Sequence, residues 1–200
     1  MTNMQAEHPF SHFVARARAT ERKVDRLLAD DELVRRLIHV ASTTAALLDL
    51  YKKSFYHQQP IPEDLFESRL ESASKALREL PRGPGSDELS RQDPRLLLAL
   101  IGIFTEAGEL LETLEPEASG EPYEAVRVWE ELGDLNWYQA IALDELGTSL
   151  ETVLEMNIAK LKARYPRRFT LREALHRDHA AERAALDALA PGRGRSDSET

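Results

Sequence analysis

Apolar residues recur every three or four positions along almost the whole chain, whereas alternating runs of β-branched residues are missing. Residues on that period share one face of a helix, and each such face must be buried against another helix. The sequence therefore predicts an all-α helical bundle. We expect helices over about 10–29, 31–56, 63–80, 94–114, 122–146, 149–164 and 170–189.

Proline and glycine divide this helical pattern into two halves. The polar segment PRGPGSDELSRQD, residues 81–93, predicts a linker between an N-terminal helical half, 1–80, and a second half, 94–189. Residues 190–200 lack apolar side chains apart from one alanine, which predicts a disordered tail. Thr148 with Glu151, and Thr170 with Glu173, have the spacing of capping boxes at helix starts.

The two halves show a faint internal repeat. A shift of 63 residues aligns Leu47-Leu48-Asp49 with Leu110-Leu111-Glu112. Under this shift Glu106 and Glu109 fall on Thr43 and Ala46, so a first copy would be a degenerate one that lacks the acidic residues. Chance similarity between leucine-rich helices is the alternative explanation.

Two acidic pairs, Glu106 with Glu109 and Glu131 with Asp134, are each spaced i, i+3. This spacing puts both carboxylates of a pair on one helix face. Two such helices packed antiparallel would bring four carboxylates together, and charges that close need a cation between them. Carboxylate oxygens suit Mg²⁺ or Mn²⁺. Salt-bridged or solvated carboxylates are the alternative, because such pairs are common in glutamate-rich helices.

The surroundings of these pairs favour a metal site. Glu106 and Glu109 follow an apolar run, Leu96 to Phe104, and share a helix strip with small side chains that would leave room for a ligand (Gly102, Thr105 and Thr113). Glu131 and Asp134 lie among apolar and aromatic residues in a helix that we expect to be mostly buried. Buried carboxylates are rare unless they are paired or bind a metal.

A second group of polar residues lies on the helix predicted over 149–164. Asn157, Lys160 and Arg164 follow one side of this helix, where an amide and two cations could hold the oxygens of a polyphosphate. The alternative is that the two cations only interact with the helix dipole. Trp137 could stack on a base, although a tryptophan in an apolar helix usually belongs to the core.

Composition limits the partners and the compartment. A net charge of −9 argues against a nucleic-acid duplex or an anionic membrane as the main partner. The chain has no cysteine for a disulfide or a thiolate-based site. No stretch resembles a signal peptide or is long enough to span a membrane. We therefore expect a soluble, cytoplasmic protein.

Three segments together, GIFTEAGELLE, WEELGDLNWYQA and NIAKLKARYPRRFT, closely resemble the MazG-like nucleoside triphosphate pyrophosphohydrolases. These belong to the all-α NTP pyrophosphatase group, which includes the dimeric dUTPases. The resemblance covers about residues 96–185. It implies a four-helix core with extra N- and C-terminal helices. It also implies a dimer or a tetramer, of which we expect a homodimer; the alternative is a monomer in which a duplicated half replaces one partner.

The resemblance also assigns roles to residues. It implies that four carboxylates ligate Mg²⁺ and are catalytic, and that further side chains bind the nucleotide substrate; these are Glu106, Glu109, Glu131 and Asp134 for the metal, and Asn157, Lys160, Arg164, Tyr165 and Trp137 for the nucleotide. The implied reaction hydrolyses a nucleoside triphosphate, of a deoxy or non-canonical kind, to monophosphate and pyrophosphate. The alternatives are a bundle that binds nucleotides without turnover and a structural scaffold.

Overall fold

The computed structural model describes residues 9–22, 30–81, 93–114, 122 and 124–191, and the regular structure within them is α-helical, without a strand. Eight helices lie in these residues: α1 (Pro9–Thr20), α2 (Asp31–His57), α3 (Glu63–Arg78), α4 (Pro94–Glu112), α5 (Ala125–Glu145), α6 (Leu150–Arg164), α7 (Leu171–Leu175) and α8 (His179–Asp187). The prediction of an all-α fold is confirmed. No described helix is both long and apolar enough to cross a bilayer.

Two predicted helices have different bounds in the structure. The first helix was expected to reach residue 29, but α1 ends at Thr20 and residues 21 and 22 are not helical. The helix expected over 170–189 is two helices, because Asp178 begins a new one by accepting a hydrogen bond from the Ala181 amide at 2.9 Å. A short polar side chain that binds the backbone in this way competes with continuation of the preceding helix.

The predicted capping boxes have different outcomes. Thr170 caps α7, since its hydroxyl accepts from the Glu173 amide at 3.1 Å and donates to the Glu173 carboxylate at 2.7 Å. The cap of α6 is Ser149 and not Thr148, because the Ser149 hydroxyl accepts from the Thr152 amide at 3.2 Å. The prediction at Thr148 was therefore wrong by one residue.

Several predictions fall on parts of the chain that the structure does not describe. Residues 23–29, most of the predicted linker (82–92) and most of the predicted tail (192–200) lie outside the described residues. The division into halves at 1–80 and 94–189 and the degenerate repeat stay predictions. Contacts group the described helices into two units: α2 with α3, and α1 with α4 to α8.

In the first unit, α2 and α3 form an antiparallel helical hairpin. Arg36, near the start of α2, donates a hydrogen bond of 2.9 Å to the carbonyl of Glu79, just after the end of α3. Further along, the rings of Tyr51 and Phe66 meet edge to face with centroids 6.2 Å apart. Buried Val34, Ala73 and Ala76 belong to this unit.

The core of the other unit lies where α1, α4 and α5 meet. It consists mostly of small side chains, which let the helix backbones approach closely. The buried members are Ala17, Ala99, Ala140, Ile141 and Ala142, and the partly buried residues packed around them are Phe10, Phe13, Val14, Leu96, Ile103 and Trp137.

The contacts between α4 and α5 define one antiparallel register. Arg95, in the first turn of α4, pairs with Glu145 at the end of α5 at 2.8 Å. Two turns further along α4, Gly102 lies against the ring of Tyr138. The two positions on α4 are seven residues, or two helical turns, apart, and so are their partners on α5. The same sides of the two helices therefore stay in contact. Continuing this register brings the acidic pairs of the two helices toward each other.

Arg95 joins the ends of three helices through ion pairs. Its guanidinium donates to Glu21, just after α1, at 2.7 and 2.9 Å, and it reaches Asp144 and Glu145 of α5 at 2.7 and 2.8 Å. The hydrogen bonds to Glu21 are the largest cause of a raised pKa for Arg95. One partly buried cation thus compensates three carboxylates, and α1, α4 and α5 are fastened at one end.

We expect Arg95→Ala to reduce the free energy of unfolding by roughly 2–3 kcal/mol, because three carboxylates lose their common cation. For a chain of this size the loss lowers Tm by roughly 5–10 °C, measurable by calorimetry. Arg183→Ala is the control, since Arg183 is 75% exposed in its pair with Asp187. An exposed pair should cost less than about 0.5 kcal/mol. Equal losses in both variants would contradict a special role for Arg95.

Candidate metal centre

The register of α4 and α5 brings three of the four predicted metal ligands together. Glu106 and Glu109 are one and two turns beyond Gly102 on α4, and Glu131 is two turns before Tyr138 on α5. One carboxylate oxygen from each of these glutamates lies within 4.8 Å of the other two. Among the described residues, this is the group of acidic and histidine side chains that could hold a metal ion.

Asp134, the fourth predicted ligand, lies at the edge of this cluster. Its side chain is exposed, and it is not among the three residues whose oxygens come within 4.8 Å of one another. Its negative charge nevertheless contributes to raising the pKa of both Glu106 and Glu131. Asp134 is therefore close enough to act on the cluster electrostatically.

The cluster holds negative charge that the described residues do not compensate. Burial is the main cause of a raised pKa for Glu106, followed by the charges of Glu109 and Asp134. Glu131 is only 7% exposed, and its pKa is raised by burial and by Glu109 and Glu130, against a smaller lowering by Arg127. No hydrogen bond or ion pair between described residues involves the three clustered carboxylates.

This donor set fits a hard divalent cation. Three carboxylates offer only oxygen ligands, which Mg²⁺ and Mn²⁺ prefer. A cation between them would favour the ionised form of each, which burial and mutual repulsion now disfavour. A bound ion would therefore offset the burial and the repulsion that raise the pKa of Glu106 and Glu131.

Two expectations about the surroundings of the cluster were wrong. The room expected beside Gly102 is filled by the Tyr138 ring. The helix α5 is buried mainly over Ala140–Leu143, whereas Val126 and Trp129 nearer its start are 59% and 67% exposed. A helical wheel shows which residues share a face, but it does not show which side chain of a neighbouring helix covers that face.

Asn157 and Lys160 line an open groove between α6 and α8. The other lining residues are apolar: Val153, Leu154 and Met156 from α6, and Leu186 from α8. Asn157 is exposed and Lys160 is half-buried. The two residues that the sequence placed on one side of the helix therefore share one surface.

Arg164 is held by a buried carboxylate that sequence reasoning missed. Its Nε and Nη2 both donate to Glu182 of α8 at 2.8 Å, and Arg177 donates to the same carboxylate at 3.0 and 2.5 Å. Glu182 is 4% exposed, and these hydrogen bonds hold its pKa well below the usual range. The pair fastens α8 to α6. In the sequence, Glu182 is one of many glutamates in charged helices, so no local pattern distinguishes it.

The two aromatic residues predicted to bind substrate make contacts within the fold. The Trp137 indole N–H donates to the Thr20 hydroxyl at 2.9 Å, and its ring meets Tyr138 edge to face at 5.0 Å. Tyr165 lies 5.3 Å from the Phe169 ring, with the Arg164 guanidinium 5.6 Å from its centroid. Their roles in substrate binding stay predictions.

We expect Glu131→Gln to raise Tm in metal-free buffer at pH 7, because it removes a buried charge that its neighbours repel. Mg²⁺ should raise the Tm of the wild type and have little effect on the variant, since an ion that binds the folded state stabilises it. Thermal denaturation with EDTA and with Mg²⁺ measures both effects. Glu71→Gln, an exposed residue of α3, is the control. A wild-type Tm that does not respond to Mg²⁺ or Mn²⁺ would contradict a metal centre.

We expect Glu182→Gln to lower Tm at pH 7 and to matter less in acid. Because the pKa of Glu182 is lowered in the folded state, its contribution to stability is complete above its ordinary value of 4.5 and is lost as pH falls toward the lower folded value. The Tm difference between wild type and variant should shrink as the pH is reduced from 5.5 to 3. Asp187→Asn, in an exposed pair, should give a small difference throughout. A Glu182→Gln difference that is independent of pH would contradict this assignment.

The comparison with known families gives one match. Residues 94–169 match the model of the MazG nucleotide pyrophosphohydrolase domain. No curated protein and no solved structure matches the chain. The matched segment begins with α4, includes α5 and α6, and contains all the residues predicted to bind metal or nucleotide. The segment from α4 to just beyond α6 is thus similar to the MazG nucleotide pyrophosphohydrolase domain.

Proposed function

We propose that this protein hydrolyses nucleoside triphosphates to nucleoside monophosphates and pyrophosphate, with Mg²⁺ as its cofactor. The observation that carries the proposal is the uncompensated cluster of Glu106, Glu109 and Glu131 within the segment that matches a pyrophosphohydrolase domain. A triphosphate brings several negative charges, so a site for it needs positive charge that the acidic cluster alone cannot supply.

Glu106, Glu109 and Glu131 would hold the ion, with Asp134 as a further carboxylate at the edge of the cluster. When bound, Mg²⁺ supplies a Lewis acid that offsets the charge developing on the phosphates. Mn²⁺ should substitute, because it accepts the same oxygen ligands. The half-buried setting supports the proposal, since it limits water around the carboxylates and so strengthens their hold on a cation.

Asn157, Lys160 and Arg164 would bind the nucleotide. Asn157 and Lys160 both line the groove between α6 and α8. Arg164 uses Nε and one Nη2 donor on Glu182, and a guanidinium has about five N–H donors in all. The remaining donors can bind phosphate oxygens while Glu182 fixes the plane of the guanidinium. Tyr165 and Trp137 stay candidates for contacts with the base.

The attacking water needs a proton acceptor beside the cluster. Glu130 is exposed, adjacent to Glu131, and close enough for its charge to raise the pKa of Glu131. Glu112, at the exposed end of α4, is the second candidate.

The rest of the proposal concerns substrate and setting. We propose deoxy or non-canonical nucleotides as substrates, a cytoplasmic role in clearing such nucleotides from the pool, and a homodimer as the assembly. Exposed apolar side chains on α4 and α5 support association, since patches of this kind commonly mark interfaces; they are Leu100, Ile101, Phe104, Trp129 and Leu132.

Product analysis on a panel of NTPs and dNTPs, including dUTP and dCTP, tests the activity. With Mg²⁺ the wild type should release monophosphate and pyrophosphate, and Glu109→Gln and Asp134→Asn should each lower kcat by about 100-fold or more. Glu71→Gln, outside the matched segment, should retain full activity.

Two other results would replace this proposal. A nucleotide that binds with Mg²⁺ but stays intact would indicate a module that sequesters nucleotides. Absence of nucleotide binding, together with a Tm that Mg²⁺ and Mn²⁺ leave unchanged, would indicate a structural scaffold.

A further inference from the structure

Gly102 is a buried glycine in the middle of α4 where another residue would collide with α5. A Cβ built at this position would lie closer than 3.0 Å to Cγ, Cδ1 and Cε1 of Tyr138. Real Cβ atoms essentially never approach other atoms so closely. The Tyr138 ring therefore rests directly on the α4 backbone, and the two helices are as close as this ring allows.

This contact lies one helical turn away from the acidic cluster. Glu106 follows Gly102 by one turn on α4, and Asp134 precedes Tyr138 by one turn on the antiparallel α5. On the other side of the contact, Ala99 and Ile141 are fully buried in one core. The contact between Gly102 and Tyr138 is thus the boundary between the apolar core and the carboxylates.

We propose that Gly102 and Tyr138 are positioning residues of the metal centre, and that their contact sets the separation of α4 and α5 at which Glu106, Glu109 and Glu131 converge. The inference rests on the proposed function in one respect, namely that the cluster binds a divalent cation. Neither residue would touch the ion; both would act through the helices that carry its ligands.

Repulsion between the carboxylates makes a packing contact such as that of Gly102 with Tyr138 necessary. The three clustered carboxylates carry like charges and have oxygens within 4.8 Å of one another, so the ligands alone cannot hold the helices together without a cation. Packing must supply that force. A site of this kind needs ligands held within about 0.5 Å of their working positions. Relief of the collision at residue 102 requires a movement of at least similar size, because Cγ of Tyr138 is close to its own backbone and ring rotation alone does not clear it.

The chain offers two matched controls on the same pair of helices. Gly108 of α4 and Gly133 of α5 would place a Cβ with no atom within 4 Å. Alanine at either position should therefore improve helix propensity without any collision. A Gly→Ala change at residue 102 differs from these two only in what the new methyl group meets.

The experiment is a titration of Mn²⁺ alone, followed by electron paramagnetic resonance of the free ion, on the full chain. Gly102→Ala should weaken Mn²⁺ binding by about tenfold or more, in the range found when residues that orient metal ligands are changed. Gly108→Ala and Gly133→Ala should stay within about twofold of the wild type. Gly102→Ala combined with Tyr138→Ala should regain affinity over Gly102→Ala, because the smaller side chain admits the methyl group.

The outcomes separate this inference from the proposed function. A folded Gly102→Ala variant that binds Mn²⁺ as the wild type does would overturn the positioning role and leave the proposed function standing. A wild type that does not bind Mn²⁺ would overturn both. If Gly102→Ala does not fold, Tyr138→Ala alone decides: Mn²⁺ binding weakened by about tenfold or more supports the inference, and a folded Tyr138→Ala variant that binds Mn²⁺ as the wild type does overturns it.

Discussion

The single antiparallel register of α4 against α5 is the constraint on which the rest of this unit depends. At one end of the pair, Arg95 attracts carboxylates from α5 and from Glu21, just after α1. At the other end, Glu106, Glu109 and Glu131 repel one another. Between them lie small core residues and the contact of Gly102 with Tyr138. Repulsion among the three glutamates would by itself separate α4 from α5. The apolar core and the ion pairs of Arg95 therefore keep the two helices together.

Three buried or half-buried glutamates of the described residues have different environments. Glu182 accepts hydrogen bonds from two arginines, which lower its pKa, and Glu21 is paired with Arg95. Glu131 is nearly as buried as Glu182, yet no described residue forms an ion pair with it and its pKa is raised. The fold thus neutralises the glutamates that fasten helices and leaves uncompensated those in the candidate metal centre. This difference supports the proposal that the cluster binds a cation, because a purely structural carboxylate gains nothing from repulsion.

Helical periodicity was enough to predict the all-α fold and most helix bounds, and the i, i+3 spacing of two acidic pairs was enough to predict that carboxylates would converge. The role of Glu182 was not predicted, because it depends on Arg164, which lies 18 residues earlier in the sequence. The break before α8 was missed because the apolar period does not show which short polar residue, here Asp178, will cap a new helix. Gly102 is the clearest example. Its small size suggested space for a ligand, and only the position of Tyr138 on the other helix shows that the space is filled. The spacing of residues along one helix determines which of them share a face. Which side chain of another helix packs against that face depends on the tertiary structure.

The hydrogen bond between Trp137 and Thr20 makes tryptophan fluorescence an intrinsic probe of the contact between α1 and α5. Of the two tryptophans in the chain, Trp129 is 67% exposed, whereas Trp137 is half-buried against α1 with its indole N–H bound to the Thr20 hydroxyl. The emission of Trp129 should resemble that of an indole in water, and the emission of Trp137 should be shifted to the blue. Because Trp137 of α5 is bound to Thr20 of α1, its emission would change if α1 separated from α5. The measurement needs no added label.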